Sequence, residues 1–138
     1  MTSFVFRREA IVEFGNCDPD ETVHVPKFFQ YFDTNTWMLF EAALGVATKD
    51  FKATFGIMPL VDVRVACHRP VRFGEIIEIA SHVSEFRRSS FDVAHKITID
   101  GDLAVEGGET RVWAVHDKND PAKIIAQAVP QDVIARFK

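Results

Sequence analysis

The sequence predicts an α+β domain in which an antiparallel sheet of about five strands wraps around one long helix. A stretch with helical spacing of apolar residues comes early, over residues 26–44. Later segments, from residue 57 to residue 116, alternate apolar and polar side chains with the period of a strand. A helix with so wide an apolar stripe needs a sheet to cover it. Since 138 residues is the size of one ordinary domain, we expect a single domain over residues 1–138.

The first two elements are a strand and the long helix. Residues 4–14 are rich in strand-forming side chains and predict the first strand, which Gly15 and Asn16 end. An Asp-Pro-Asp turn follows. Pro26 suits the first position of a helix, where its missing N–H is no loss, and Gly45 provides a C-terminal stop. Such a helix spans about 30 Å, enough to cross a sheet.

The rest of the chain changes period. A short second helix is predicted over residues 48–55, capped by Thr48 and stopped by Gly56. Gly107 and Gly108 predict a bulge or bend in the last long strand. An edge segment at residues 123–126 and a closing helix complete the chain. The remaining strands are predicted at residues 57–68, 75–86, 91–100 and 103–116.

Composition and charge narrow the class of protein. A formal net charge of −4 argues against broad binding of nucleic acid or acidic membranes. No run is apolar enough to span a membrane, and the first residues lack the order of a secretory signal. The two cysteines, Cys17 and Cys67, form neither a zinc pattern nor a disulfide framework. We therefore expect a cytoplasmic protein without a metal.

Chemistry is concentrated where the first strand passes into the long helix. Asp18 lies a few residues before the predicted helix N-terminus. Such a terminus offers unpaired backbone N–H groups and a partial positive charge. A nucleophile or base beside an anion-stabilising site is the minimum needed for attack on a carbonyl. From the residues alone, Asp18 is equally an ordinary member of an Asp-Pro turn.

Six short motifs share an order and spacing with a known family. They are Phe14-Gly-x-Cys-Asp-Pro19, Val23-x-x-Pro26, Phe28-x-x-Tyr-Phe-Asp33, Arg69-Pro-Val-x-Phe-Gly74, Phe86-Arg-Arg-Ser-Ser-Phe91 and Thr110-Arg-Val-Trp-Ala114. In this order they resemble the hot-dog acyl-CoA thioesterases, and in particular the 4-hydroxybenzoyl-CoA thioesterase group. The resemblance implies hydrolysis of an acyl-CoA thioester, no metal, and no cofactor apart from the coenzyme A of the substrate. It also implies a homodimer or homotetramer with active sites at subunit interfaces.

The resemblance also assigns roles within the loop before the helix. Asp18 matches the catalytic carboxylate of the family, and the backbone N–H of Val25 matches the group that polarises the carbonyl. Two positions depart from the family pattern. Glu21 stands where a glycine is usual, and Val25 stands where an aromatic ring or histidine is frequent.

His24 has three open interpretations: a proton shuttle, a contact for the acyl group, or a loop histidine with no task. A nucleophilic pair of Cys17 with His24 is less favoured, because neighbours along a turn need not face each other. Phosphates of coenzyme A are expected at the strand junction, since Arg binds phosphate through paired hydrogen bonds. A solvated charged turn is the alternative there. The candidate phosphate-binding residues are Arg87, Arg88, Ser89, Ser90 and Lys123.

The resemblance thus predicts an acyl-CoA thioesterase, acting on an aromatic acyl group such as 4-hydroxybenzoyl or on a medium-length acyl group. One alternative is a hot-dog enzyme acting on acyl-carrier-protein thioesters, or a dehydratase. A dehydratase needs a buried histidine paired with a carboxylate near the helix, and His24 is the only candidate from the sequence. A catalytically silent acyl-CoA-binding module is the other alternative, favoured by the absence of glycine at Glu21.

Overall fold

A computed structural model describes residues 3–138 and has the predicted α+β architecture. The five long strands form one antiparallel sheet in the order β1-β3-β4-β5-β2, and two short strands, β6 and β7, pair separately. No helix among the described residues is long and apolar enough to cross a bilayer. The elements are β1 (Phe6–Ile11), α1 (Pro26–Leu44), α2 (Thr48–Thr54), β2 (Leu60–Cys67), β3 (Ile76–Phe86), β4 (Ser90–Ile99), β5 (Asp102–Val112), β6 (Ala114–His116), β7 (Ile124–Ala126) and α3 (Gln131–Ala135).

Helix α1 has the predicted ends. Pro26 is its first residue, and Gly45 follows its last residue in the left-handed conformation, with φ of 70°. One face of the helix is buried against the sheet along its whole length. Two polar side chains, Asn35 and Thr36, lie within that face. The buried residues are Phe28, Phe32, Asn35, Thr36, Leu39, Phe40 and Ala43.

The core has two halves that follow the two halves of α1. Around Phe28 and Phe32, the first half packs on aliphatic side chains of β3, β4 and β5. The second half is aromatic, with Phe40 touching the rings of Phe51, Phe91 and Phe137. Burying each large apolar side chain contributes about 1.5–3 kcal/mol, so this packing dominates the attachment of the helix to the sheet.

Three predictions of where an element begins or ends were wrong. The first strand ends at Ile11, and residues 14–16 form a single turn of 3-10 helix. Thr48 does not cap α2; instead the carboxylate of Glu41 accepts hydrogen bonds from the backbone N–H and hydroxyl of Thr48. The strand predicted over residues 103–116 divides at Trp113, because β6 leaves the sheet to pair with β7.

Gly107 and Gly108 do not form the predicted bulge, since both keep the regular register with β4 and β2. Gly107 instead lies directly against the ring of Phe32 on α1. A Cβ at this position would overlap the ring of Phe32 and the carbonyl oxygen of Arg64. The glycine therefore allows α1 to lie against the middle of the sheet.

Candidate active site

The loop between β1 and α1 folds back on itself. A β-bridge joins Cys17 to Val23. Between them, the Asp18 N–H donates to the carbonyl of Thr22 at 2.8 Å, and the Glu21 N–H donates to the carbonyl of Asp18 at 2.8 Å. Glu21 has φ of 68°, in the left-handed region that favours glycine. The tight turn is therefore kept without a glycine, at a cost of about 1–2 kcal/mol.

Asp18 and His24 lie in contact across this loop. The Nδ1 atom of His24 is 2.8 Å from Oδ1 of Asp18, with the two side chains 53% and 43% exposed. The backbone N–H of His24 donates to the carbonyl of Asn16 at 2.8 Å, which holds the residue beside the start of α1. The structure thus brings together two of the predicted site residues in a solvent-accessible pair.

The first turn of α1 leaves one backbone donor available. The Lys27 N–H donates to the carbonyl of His24 at 2.8 Å, and the Phe28 N–H donates to the carbonyl of Val25 at 3.0 Å. Pro26 has no N–H. The Val25 N–H has no hydrogen-bond acceptor among residues 3–138. Of the amides at this helix end, only that of Val25 is thus free to meet a developing negative charge.

A cavity of about 310 Å³ opens beside Val25. Phe28, at the start of α1, and Val23 form part of an apolar wall. The opposite wall is the segment that follows β2, from Cys67 to Val71. Neither Asp18 nor His24 lines this cavity, although Thr22, whose carbonyl accepts from Asp18, does. Val25 thus lines the cavity, and Asp18 does not.

Polar contacts set the ionisation of the neighbouring side chains. Thr22 donates from its hydroxyl and from its backbone N–H to Asp20, and these hydrogen bonds lower the pKa of that carboxyl. For the Cys17 thiol, burial raises the pKa, and the negative charges of Asp18, Asp20 and Glu21 raise it further. A thiol held in its protonated form is a poor nucleophile. The interpretation of Cys17 and His24 as a nucleophilic pair therefore has no support.

The predicted phosphate-binding arginines differ in what they contact. Arg87 pairs with both carboxylate oxygens of Asp92, at 3.0 and 2.8 Å, and also with Glu85 and Ser90. The hydrogen bonds that Arg87 donates to Asp92 raise the pKa of Arg87. Arg88 is exposed and makes no side-chain hydrogen bond to the described part of the chain. Arg88 is therefore better placed than Arg87 to receive a phosphate.

The structure places the two predicted sites at opposite ends of the sheet. The loop of Asp18 lies where β3 begins, because the Val12 N–H donates to the carbonyl of Glu75. Arg88 lies where β3 ends, in the turn to β4. β3 has 11 residues, so it is about 35 Å long. Ser89 and Ser90 share that turn, and the exposed Lys123 precedes β7. Within one chain these residues are not near Asp18.

A second histidine–carboxylate pair, which the sequence reasoning missed, lies in the core. His95 Nε2 is hydrogen-bonded to Oε2 of Glu109, and the ring of His95 stacks on that of Phe32 at 4.5 Å. The side chains of His95 and Glu109 are 0% and 1% exposed. The statement that His24 is the only histidine able to pair with a carboxylate near the helix was therefore wrong. The sequence did carry a signal for the burial of His95. The alternation along β4 places His95 on the same buried face as Val93 and Ile97.

Hydrogen bonds extend this buried pair across the domain. On one side, Arg111 donates to Glu109 Oε1 at 2.9 Å and to Asp33 on α1 at 2.6 Å. On the other, Ser81 lies 2.6 Å from His95 Nδ1 and accepts from Asn35, which accepts in turn from Arg8 at 2.7 Å. Thr36 also donates to Glu109. We call this set the core network; it joins α1 to β1, β3, β4 and β5.

Comparison with known proteins gives a consistent result. A 4-hydroxybenzoyl-CoA thioesterase of Pseudomonas sp. (strain CBS-3) is 28% identical over 130 residues, covering 89% of this chain and 90% of that protein. A solved structure of a 4-hydroxybenzoyl-CoA thioesterase variant in complex with 4-hydroxybenzoyl-CoA superposes with a TM-score of 0.84 at 23% identity, covering 98% of this chain and 99% of that one. A gentisyl-coenzyme A thioesterase gives a TM-score of 0.78 at 24% identity, covering 94% and 98%.

These findings confirm the predicted hot-dog fold and the predicted class of enzyme, a thioesterase. A model of the thioesterase-like superfamily matches residues 12–137, which include the Asp18 loop, α1 and every strand of the sheet except β1. The chain belongs to the thioesterase-like superfamily.

Proposed function

We propose that this chain hydrolyses an acyl-CoA thioester to a free acid and coenzyme A, with Asp18 as the catalytic carboxylate. The observation that carries the proposal is the unpaired N–H of Val25 at the start of a buried helix, next to the Asp18–His24 pair. A fixed donor at a developing oxyanion can be worth about 3 kcal/mol in the transition state. Val25 would hold the carbonyl oxygen while the acidic loop supplies the attacking group.

We propose that the acyl group of the substrate is aromatic. The relatives named above are thioesterases of 4-hydroxybenzoyl-CoA and gentisyl-CoA. In support, the cavity beside Val25 has a mainly apolar wall that includes the ring of Phe28 and Pro70. Its volume, about 310 Å³, is at the lower end of the range for small-molecule sites, which suits one ring rather than a long chain.

We also propose that the enzyme works as a homodimer or homotetramer. Strand β2 is a free edge of the sheet, and its apolar residues Leu60 and Val61 are 44% and 60% exposed. An exposed edge strand is a template for pairing with another chain. A second copy also supplies what one chain lacks, because Arg88 lies about 35 Å from its own Asp18 loop along β3. Native mass spectrometry showing only monomer would contradict this part.

The proposed enzyme needs no bound cofactor and is expected in the cytoplasm. Coenzyme A is carried in by the substrate, and the proposed reaction uses no metal or other cofactor. Both cysteines, Cys17 and Cys67, are free thiols, which suits the reducing cytoplasm.

The test is thiol release from a panel of benzoyl-, 4-hydroxybenzoyl- and medium-chain acyl-CoAs, with acyl-carrier-protein thioesters alongside. Asp18→Asn should lower kcat/KM by at least about 100-fold, because a general base or nucleophile typically contributes 10²–10⁴-fold. Asp20→Asn is the matched control, since Asp20 lies in the same loop but its carboxylate accepts a hydrogen bond from the Thr22 hydroxyl. Release that survives Asp18→Asn would exclude the carboxylate from the chemistry. Binding without release would favour a silent module, and faster release from the carrier protein would favour that substrate.

A further inference from the structure

A second cavity, of about 270 Å³, lies between the edge strand β1 and the N-terminal half of α1. It shares no lining residue with the cavity beside Val25. We propose that this second cavity binds the carboxylate of a small organic acid, held by Arg8 and Lys27. The site is separate from that of the proposed thioesterase, and ligand binding to it does not depend on hydrolysis of acyl-CoA.

Arg8 is a partly buried guanidinium that lines this cavity. Its Nε atom donates to Oδ1 of Asn35 at 2.7 Å, which fixes the group at one end of the core network. Its two Nη atoms have no hydrogen-bond acceptor among residues 3–138, and Arg8 forms no ion pair there. Burial lowers the pKa of Arg8, because a charge removed from water without an anion is disfavoured. The two Nη atoms form a planar fork that matches the two oxygens of a carboxylate.

Lys27 supplies a second positive charge from the first turn of α1. Within the described part of the chain, its ammonium hydrogen-bonds only to the amide oxygen of Gln30, at 3.5 Å. Glu13 is the one acid that lines the cavity, and it pairs with neither cation within residues 3–138. The lining therefore carries a net positive charge, although the chain as a whole carries −4. Such a local charge favours an anionic ligand.

The rest of the lining favours an organic acid over an inorganic anion. Ala10 and Ile11, at the end of β1, add aliphatic carbon to the wall. Tyr31 lines the wall formed by α1, and its hydroxyl is held by a hydrogen bond to Oδ1 of Asn16 at 3.1 Å. The carbon body of an acid thus meets apolar and aromatic groups while its carboxylate meets the two cations. The cavity is smaller than the usual range for ligand sites, about 300–1,000 Å³, which suits an acid of the size of benzoate.

The chain has a single tyrosine, so Tyr31 gives a site-specific signal for the test. The full chain labelled with 3-fluorotyrosine has one ¹⁹F resonance, which should shift and saturate as benzoate is added at constant ionic strength. Benzamide has the same shape without the charge and should leave the resonance unchanged, whereas acetate and inorganic phosphate should bind more weakly than benzoate. A shift that stays linear in benzoate, an equal response to benzamide, or tighter binding of phosphate would overturn the proposal.

Variants assign the binding to this cavity. Arg8→Gln and Lys27→Gln should each weaken benzoate binding about tenfold or more, because a hydrogen bond to a charged group is worth at least that factor. Lys27→Gln tests the site even if loss of the Arg8 contact to Asn35 unfolds the domain. Arg7→Gln is the matched control, since Arg7 is the preceding residue on β1 and pairs with Glu78 at 3.0 Å. Parental affinity in the Lys27 variant, or an equal loss in the Arg7 control, would overturn the assignment.

Discussion

The Asp18–His24 pair and the Glu109–His95 pair are built from the same chemical groups and lie in opposite environments. Asp18 and His24 are 43% and 53% exposed in a loop, whereas Glu109 and His95 are 1% and 0% exposed between the helix and the sheet. The exposed pair can exchange a proton with water or a substrate. The side chains of the buried pair are shielded from solvent, and Phe32 stacks on the imidazole. Burial, and not residue type, therefore distinguishes the two pairs.

The buried pair also shows how neighbours offset the cost of burial. Burial of the Glu109 carboxyl by itself raises its pKa, but the hydrogen bond from His95 and the charge of Arg111 outweigh that effect, and the pKa lies below its usual range. The charged form is thus retained in the core. An exposed pair needs no such support, because water solvates both partners.

The largest expected difference between the pairs is in stability. Glu109→Gln keeps the shape of the side chain but removes the charge that Arg111 and His95 face. Breaking a buried pair by changing one partner costs about 3–5 kcal/mol, and we expect that loss in the free energy of unfolding. Urea unfolding measures it. Glu106→Gln is the matched control on the same strand, where the side chain is 44% exposed and lies 3.5 Å from His68.

A loss below about 1 kcal/mol for Glu109→Gln, equal to that of the control, would mean that the buried pair behaves like a surface pair. The contrast between the two environments would then have no energetic basis.

A smaller loss of stability is expected at Gly107, which lies against the Phe32 ring that stacks on His95 of the core network. Gly107→Ala would push the ring of Phe32 away from His95, because the new Cβ overlaps that ring and the backbone of β2. Overpacking of this kind costs about 1–3 kcal/mol. Thermal unfolding would measure the change. Gly15→Ala, with no atom within 4 Å of the added Cβ, is the control and should be nearly neutral. Equal midpoints for the two variants would show that the contact is not tight.

The comparison also explains what the sequence could reveal. Asp18 and His24 are six positions apart across one turn, so local turn chemistry brings them together, as it sets the ends of α1 at Pro26 and Gly45. His95 and Glu109 meet only because β4 and β5 pair in one register, with His95 opposite Gly107. A one-residue slip would place either side chain on the other face of the sheet. The alternation predicted strands but not their register.

The separation of Arg88 from Asp18 has a similar origin. Both positions follow from motifs, but their distance depends on the length of β3 and on which strand ends lie together. The sequence carries no signal for either quantity beyond an approximate strand length. The motifs thus name both residues as candidates, and only the structure shows how far apart they lie within one chain.

The smallest expected effect is on the stability of the exposed pair. Asp18→Asn and His24→Gln should each change the free energy of unfolding by less than about 1 kcal/mol, because exposed ion pairs contribute little to folding. Asp18→Asn is also expected to lose most of its activity, so function and stability separate at this pair and not at Glu109. Urea unfolding of both variants beside the parent measures this. A loss of several kcal/mol from either would mean that the pair holds the loop in place, and the activity loss of Asp18→Asn would then reflect a displaced Val25 amide and not a missing catalytic carboxylate.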